Sequence, residues 1–326
     1  MDTRHLATLR AVRDHGGVTA AARVLHLTPS AVSQQLRGLA RDVGAEVVER
    51  VGRGVRLTGP GLALAEAALD VAVALERAEA AVDAFRSAPH GLVRVAAFQS
   101  GAELLLPGLL RRVAGLDGVR VELGDEDVAQ ADFPALTADF DLVVAHRPDD
   151  AHRPDDAHRP DDAHRPHDAH PWPGDVLAVP LLREPLDVAL PPGHRLADRD
   201  VLTPADLVDE PWIAVREGFP VAGVLEAVGV AAGAPLRVVQ RFNDFGVVEA
   251  LVAAGHGVSL LPRYTAGRRG AVLVPLAGVR AGRRVDVLVR PDRAERRVVR
   301  RVLDALRAEA ARFDGPPDPG PGARDR

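Results

Sequence analysis

The sequence predicts a multidomain chain: an all-α N-terminal unit, a long connecting helix and a C-terminal α/β body. Three patterns carry this prediction. In residues 1–60, short segments with helical apolar spacing are joined by tight turns. From Leu64 to Phe85 the apolar residues recur at alternating spacings of four and three. Beyond Leu92, continuous apolar runs of strand length alternate with helical stretches.

The first helix is predicted over Arg4–Val12, with Leu6, Leu9 and Val12 on one face, and His15-Gly16-Gly17 ends it. A second runs from Thr19 to Leu25, rich in small residues that let a neighbouring helix cross closely. Thr28 is a good N-cap for the third, and Pro29 suits its first position, where a missing N–H costs nothing. Ala31, Val32, Leu36 and Leu39 form the apolar face of that helix, which reaches about Asp42. Its other face carries Ser30, Ser33, Gln34 and Arg37, short or forked hydrogen-bonding groups of the kind that reach base edges in a major groove. Glu49 to Thr58 reads as a hairpin with a glycine-rich tip, where arginines meet a phosphate backbone. The other reading of this region is a small helical packing domain with a solvated arginine loop.

Thr19 to Ser33 (TAAARVLHLTPSAVS) closely resembles the N-terminal signature of the LysR-type transcriptional regulators, and Arg50 to Thr58 looks like the wing that follows it in that family. The resemblance implies a winged helix-turn-helix over residues 1–59 that binds double-stranded DNA. The implied DNA-facing positions are Thr28, Pro29, Ser30, Ser33, Gln34 and Arg37, with Arg50, Arg53 and Arg56 as the basic wing. The chain departs from the pattern at Ala40, where Glu is usual, at Val47-Val48, where Leu-Phe is usual, and at Gln34, where many members carry Arg.

The connecting helix is expected over 60–88. Its seam of Leu64, Ala68, Val71, Leu75, Ala78, Val82 and Phe85 spans three heptads. An isolated helix between two domains has little else to pack on, so the seam reads as a dimer contact, and the family's linker helices likewise pair subunits. In the body, strands are expected at Leu92–Phe98, Val119–Leu123, Asp141–Ala145, Val176–Leu182, Leu186–Leu190, Trp212–Val215, Leu236–Phe242, Val258–Leu261 and Val285–Val289, giving a mainly parallel sheet. Helices are expected at Glu103–Val113 (with Pro107 inside), Val221–Val228, Gly246–Ala254 and Ala294–Phe313. Leu104–Leu110, Pro185–Pro191 with His194–Ala197, and Ala253–Pro262 also resemble the family's effector-binding domain. That likeness implies two α/β subdomains, similar to periplasmic binding proteins, with a ligand cleft between them: 90–181 with 263–313, and 182–262. A strand end at Phe98-Gln99-Ser100 meets a helix start, where free N–H groups and the helix dipole favour an anion. Glu217, Gly218 and Phe219, and Asn243 and Phe245, follow other strands and complete the candidate effector site. For Ser100 and Asn243 the alternative is plain helix capping.

Charge and composition narrow the function. The net charge of −5 divides unevenly: residues 1–60 hold nine Arg against five acidic residues, which suits an anionic partner for the head. All basic residues are arginine, and there is no cysteine, so disulfides and thiolate chemistry are excluded. No Walker loop, Rossmann fingerprint or supported Ser-His-Asp arrangement points to an enzyme. The N-terminus lacks a signal-peptide core and no apolar run reaches membrane length, so a cytoplasmic protein is expected. The hexapeptide AHRPDD stands at 145–150, 151–156 and 157–162, followed by AHRPHD at 163–168. Residues 146–171 read as a tolerated surface-loop insertion rather than a metal site, and 314–326 as a disordered tail. The expected function is a ligand-responsive DNA-binding regulator without a cofactor. Its partners are DNA, a small metabolite, itself as a homodimer or homotetramer, and RNA polymerase, with no membrane. A ligand-independent DNA-binding regulator and a solute-binding protein are the alternatives.

Overall fold

A computed structural model describes residues 1–313 except 53, 84, 86–88, 150–171, 173 and 174. Arg53, most of the repeat and the expected disordered tail therefore lie outside the described residues. The head begins with α1 (Thr3–Asp14), α2 (Val18–Val24) and α3 (Pro29–Val43). The Thr28 hydroxyl accepts from the Ala31 N–H at 3.1 Å, and Gly44 closes α3 in the left-handed conformation at φ 70°. The hairpin of β1 (Val48–Val51) and β2 (Gly54–Leu57) follows. Leu6, Leu9, Val12, Val32, Leu36 and Leu39 form the head core with Val47 and Leu57.

The connecting helix α4 (Gly59–Asp83) leaves the head in close contact with it. Gly61 lies so near the Val47 carbonyl that an added Cβ would sit 1.9 Å from that oxygen. The heptad seam divides along its length. Ala68 is buried in the head core and Leu64 packs against it, whereas Val71, Leu75, Ala78, Val82 and Phe85 are exposed in the protomer.

The body contains β3 (Gly91–Ala97), α5 (Gln99–Val113), β4 (Val119–Asp125), α6 (Phe133–Leu136), β5 (Leu142–Pro148) and β6 (Leu177–Leu190). It continues with β7 (Pro211–Ala214), α7 (Pro220–Ala232), β8 (Arg237–Arg241), α8 (Phe245–Ala253), β9 (Ser259–Pro262) and β10 (Val272–Val274). β11 (Gly282–Val289), α9 (Pro291–Glu295) and α10 (Arg297–Ala310) complete it. The main sheet has seven strands in the order β10-β6-β11-β5-β3-β4, with β9 also on β6. β3 pairs parallel with β4 and β5, but every pairing of β6 and β11 is antiparallel. The expected mainly parallel sheet is thus corrected to a mixed one.

The reason is the crossover. The two strands expected at 176–182 and 186–190 are one strand, β6, whose first half pairs with β11 and whose second half pairs with β9 and β10. One subdomain core gathers Val93, Leu105, Leu109, Val143, Val287 and Leu306; the other gathers Leu190, Leu202, Trp212, Val228, Val258 and Val274. Val272, Val274, Leu276, Val279 and Ala281 pack in the second core, so the subdomain boundary expected at 262/263 moves to about 281, where β11 re-enters the first. One smaller expectation also changes. The final helix, expected over Ala294–Phe313, is divided at Arg296, whose ψ of 122° is extended, while α5 holds Pro107 within it as expected.

The first four residues of the repeat are not loop. Residues 145–148 continue β5 and pair with Arg283–Asp286 of β11. Asp149 accepts from Arg280 and Arg284, each at 3.0 Å, and from Arg183. The insertion expected at 146–171 is therefore corrected at 146–149, which are built into the body, and its remainder lies outside the described residues.

Candidate DNA-binding face and inter-subdomain cleft

The apolar face of α3 is locked into the head core, so its opposite face must point outward. Gln34 and Arg37, one turn apart there, are exposed and without a hydrogen-bond partner among the described residues. Other predicted side chains have local work as well. Thr28 caps α3 and lies 2.9 Å from the Ser30 hydroxyl, while Ser33 donates to the Pro29 carbonyl at 2.9 Å. Pro29 and Arg50 are exposed. Arg56 is paired with Glu49 at 2.6 Å across the hairpin, an exposed contact worth little in water.

The cleft lies between the C-terminal end of β3 and the elements around β7 and α8. Five of the eight predicted effector residues line it: Gln99, Ser100, Phe219, Asn243 and Phe245. Asp127, His146, Val215 and Val221 complete the lining and were not anticipated as site residues. Phe98 lies beneath the wall, with its ring stacked on His146 at 4.1 Å. Gly218, at φ 84°, joins the walls through its backbone, accepting from the Gln130 N–H at 3.4 Å. Glu217 is corrected out of the cleft. Its side chain is 83% exposed, 3.6 Å from Arg241, and borders an apolar groove with Leu225, Val230 and Leu236.

The polar groups of the cleft are cross-linked. Gln99 from the first subdomain hydrogen-bonds Asp244, which also accepts from the Gly246 and Val247 N–H groups as the α8 cap. The Val247 N–H foremost holds the Asp244 carboxyl below its ordinary range. Asn243 accepts from the Arg216 N–H at 2.9 Å and hydrogen-bonds Asp127. Burial nevertheless raises Asp127.

Behind this wall sits a residue pair that local patterning does not mark. Arg283, fully buried on β11, donates to Glu184 from Nε at 2.9 Å and from Nη2 at 2.6 Å. It also donates to the Ser100 hydroxyl at 2.9 Å and approaches His146 Nδ1 at 3.5 Å. Its guanidinium lies 4.9 Å from the Phe98 ring centre and 5.7 Å from that of Phe245, touching both subdomains. Arginine only donates, so the Nδ1 of His146 is the accepting nitrogen. Burial, and secondarily the charge of Arg283, push His146 well below its ordinary value. Arg283 is one of three charged residues in 282–289, with Arg284 and Asp286, so the sequence does not set it apart.

Comparison with known proteins decides the family. Residues 3–62 match the description "Bacterial regulatory helix-turn-helix protein, lysR family", and residues 166–311 match "LysR substrate binding domain". The chain belongs to the LysR family. This LysR-type chain is 25% identical over 268 residues to the RuBisCO operon transcriptional regulator of Allochromatium vinosum, covering 80% of each protein. Its fold matches full-length OxyR from Pseudomonas aeruginosa, with a TM-score of 0.64 at 18% identity over 94% of this chain and 98% of that one. It also matches full-length CbnR complexed with its target DNA, with a TM-score of 0.50 at 23% identity over 95% of this chain and 100% of that one. A LysR-type chain of this architecture is a ligand-responsive DNA-binding transcriptional regulator and not an enzyme. No helix among the described residues is long and apolar enough to cross a membrane.

Proposed function

We propose that α3 enters the major groove, with Gln34 and Arg37 reading base edges, Ser30 and Ser33 at the helix start, and Arg50, Arg53 and Arg56 gripping phosphates. The supporting observation is that Gln34 and Arg37 are exposed, and unpaired among the described residues, on the one face of α3 that the head core leaves free. Two heads, paired through the exposed seam Val71, Leu75, Ala78 and Val82, read a near-palindromic promoter site as a homodimer or homotetramer. A small polar metabolite, an organic or amino acid, occupies the cleft at Ser100, Phe219 and Asn243 and shifts the oligomer between two geometries. RNA polymerase is the further partner, and the protein acts in the cytoplasm.

The deciding experiment is selection of a binding duplex from a random library with the full chain, followed by titration at several salt concentrations. Arg37→Ala is expected to weaken that duplex by roughly tenfold or more and to relax preference at one position. Arg50→Ala is expected to weaken all duplexes alike and flatten the salt dependence. Equal effects of both variants on every sequence contradict base reading by α3.

A further inference from the structure

The head meets the effector body at a second place besides the connecting helix. Asp14, at the end of α1, accepts from Arg290 Nη1 at 2.7 Å. Arg10, one turn earlier, donates to Asp292 at 2.9 Å. All four side chains are only 8–13% exposed. The pairing is reciprocal: α1 offers a cation and then an anion, and the corner between β11 and α9 offers the complements. A slip of one turn in one direction would set Arg10 against Arg290, and a slip in the other would set Asp14 against Asp292, so the charges specify one alignment and penalise others. Burial raises Asp14, yet Arg290 and Arg13 overcome it and hold the carboxyl below its ordinary value.

The corner itself is braced. Arg290 donates to the Thr137 hydroxyl at 3.3 Å, while Arg293 and Arg296 both hold Asp141, whose other oxygen accepts from the Arg94 N–H in the middle of β3. The connecting helix lies along α9, and Arg77 pairs with Glu295 at 2.9 Å. β11 ends at Val289, beside Arg290, and begins beside Arg283 at the cleft floor, so one strand joins the cleft to this corner. None of these contacts uses Gln34 or Arg37, and the DNA-reading face of α3 stays open.

We infer that the Arg10–Asp292 and Asp14–Arg290 pairs form an orientation latch between the DNA-binding head and the effector body of the same chain. Closed, it fixes the direction in which α3 is presented. Open, it leaves the head held by α4 and by the longer Arg13–Asp175 contact at 3.9 Å. The inference rests on DNA binding by the head but not on any particular ligand in the cleft.

The chain has no cysteine, so a head–body distance can be measured with two introduced labels. Spin labels at Glu46→Cys and Asp304→Cys, both exposed, report it in protein diluted with excess unlabelled chain. The unaltered latch is expected to give one narrow distance distribution. Asp14→Arg and Arg290→Asp are each expected to broaden it, and the two together to narrow it again; Arg10→Asp with Asp292→Arg is the second such swap. Asp14→Asn replaces any reversal that melts early, and is expected to broaden the distribution less. The single reversals are also expected to lower affinity for a selected two-half-site duplex about tenfold, through lost preorganisation, while affinity for a half-site duplex is retained. A distribution unmoved by both single reversals, or left broad in both swaps, overturns the latch. A half-site affinity that falls as far as the two-half-site affinity also overturns it, because the pairs then serve the fold of the head and not its orientation.

Discussion

Removing Arg283 alone should be far more damaging than removing it together with Glu184. Arg283→Met deletes the cation and leaves the Glu184 carboxylate fully buried, with Oε1 already without a hydrogen-bond partner among the described residues and Oε2 newly so. A buried charge stripped of its partner costs about 3–5 kcal/mol. Replacing both members with apolar residues removes the uncompensated charge, and such exchanges are often close to neutral. Arg283→Met/Glu184→Leu is therefore expected to cost no more than about 2 kcal/mol, most of it for the Ser100 and His146 contacts that remain lost. Glu184→Leu strands the Arg283 cation in the same way, so the coupling between the sites is at least about 4 kcal/mol, well above the scatter of additive pairs. Equilibrium urea unfolding of the four-member cycle, followed by the fluorescence of buried Trp172 and Trp212, reads both cores. A single substitution costing under about 1 kcal/mol, or a double equal to the sum of its singles, would show that the pair is solvated rather than sealed beneath the cleft.

The buried histidine and the close-packed glycine of α4 give further expectations. The depressed His146 means that below pH 6.5 the unfolded chain binds a proton that the folded chain refuses. Stability should then fall on acidification from pH 6.5 toward the folded value, by up to about 1.4 kcal/mol per pH unit, and His146→Phe should flatten that slope; unchanged slopes in melts between pH 7.5 and 5.5 would refute the assignment. Gly61→Ala should destabilise the head by about 1–3 kcal/mol although alanine is the better helix former, because its Cβ meets the unyielding Val47 carbonyl. Gly223→Ala, within α7 and facing open space, should instead stabilise by up to about 1 kcal/mol, and chemical unfolding that ranks the two alike would refute the close approach.

What was legible in the sequence was local. The cap at Thr28-Pro29, the apolar stripe of α3 and the glycine at its end are decided within a turn or two of chain, so they read directly. The five lining residues at the ends of β3 and around α7 and α8 were legible for the same reason: they sit where a strand hands over to a helix. Glu217 was misplaced because a turn residue has two faces, and packing of the turn chose the outer one.

The repeat shows the limit most plainly. Nothing inside AHRPDD distinguishes one copy from another, yet His146 of the first copy lies in the cleft wall and Asp149 holds three arginines. β11, more than a hundred residues away, makes that choice by pairing with it. The sequence by itself determined the helix-turn-helix, the seam of α4 and the alternation that makes the body α/β, because each follows from periodicity and short-range hydrogen bonding. Only the tertiary structure decided the mixed sheet, the single strand that crosses both subdomains, the Arg283–Glu184 floor of the cleft and the pairing of α1 with α9. Those depend on which buried charges and backbone edges find one another across the chain, and spacing along the sequence carries no record of that.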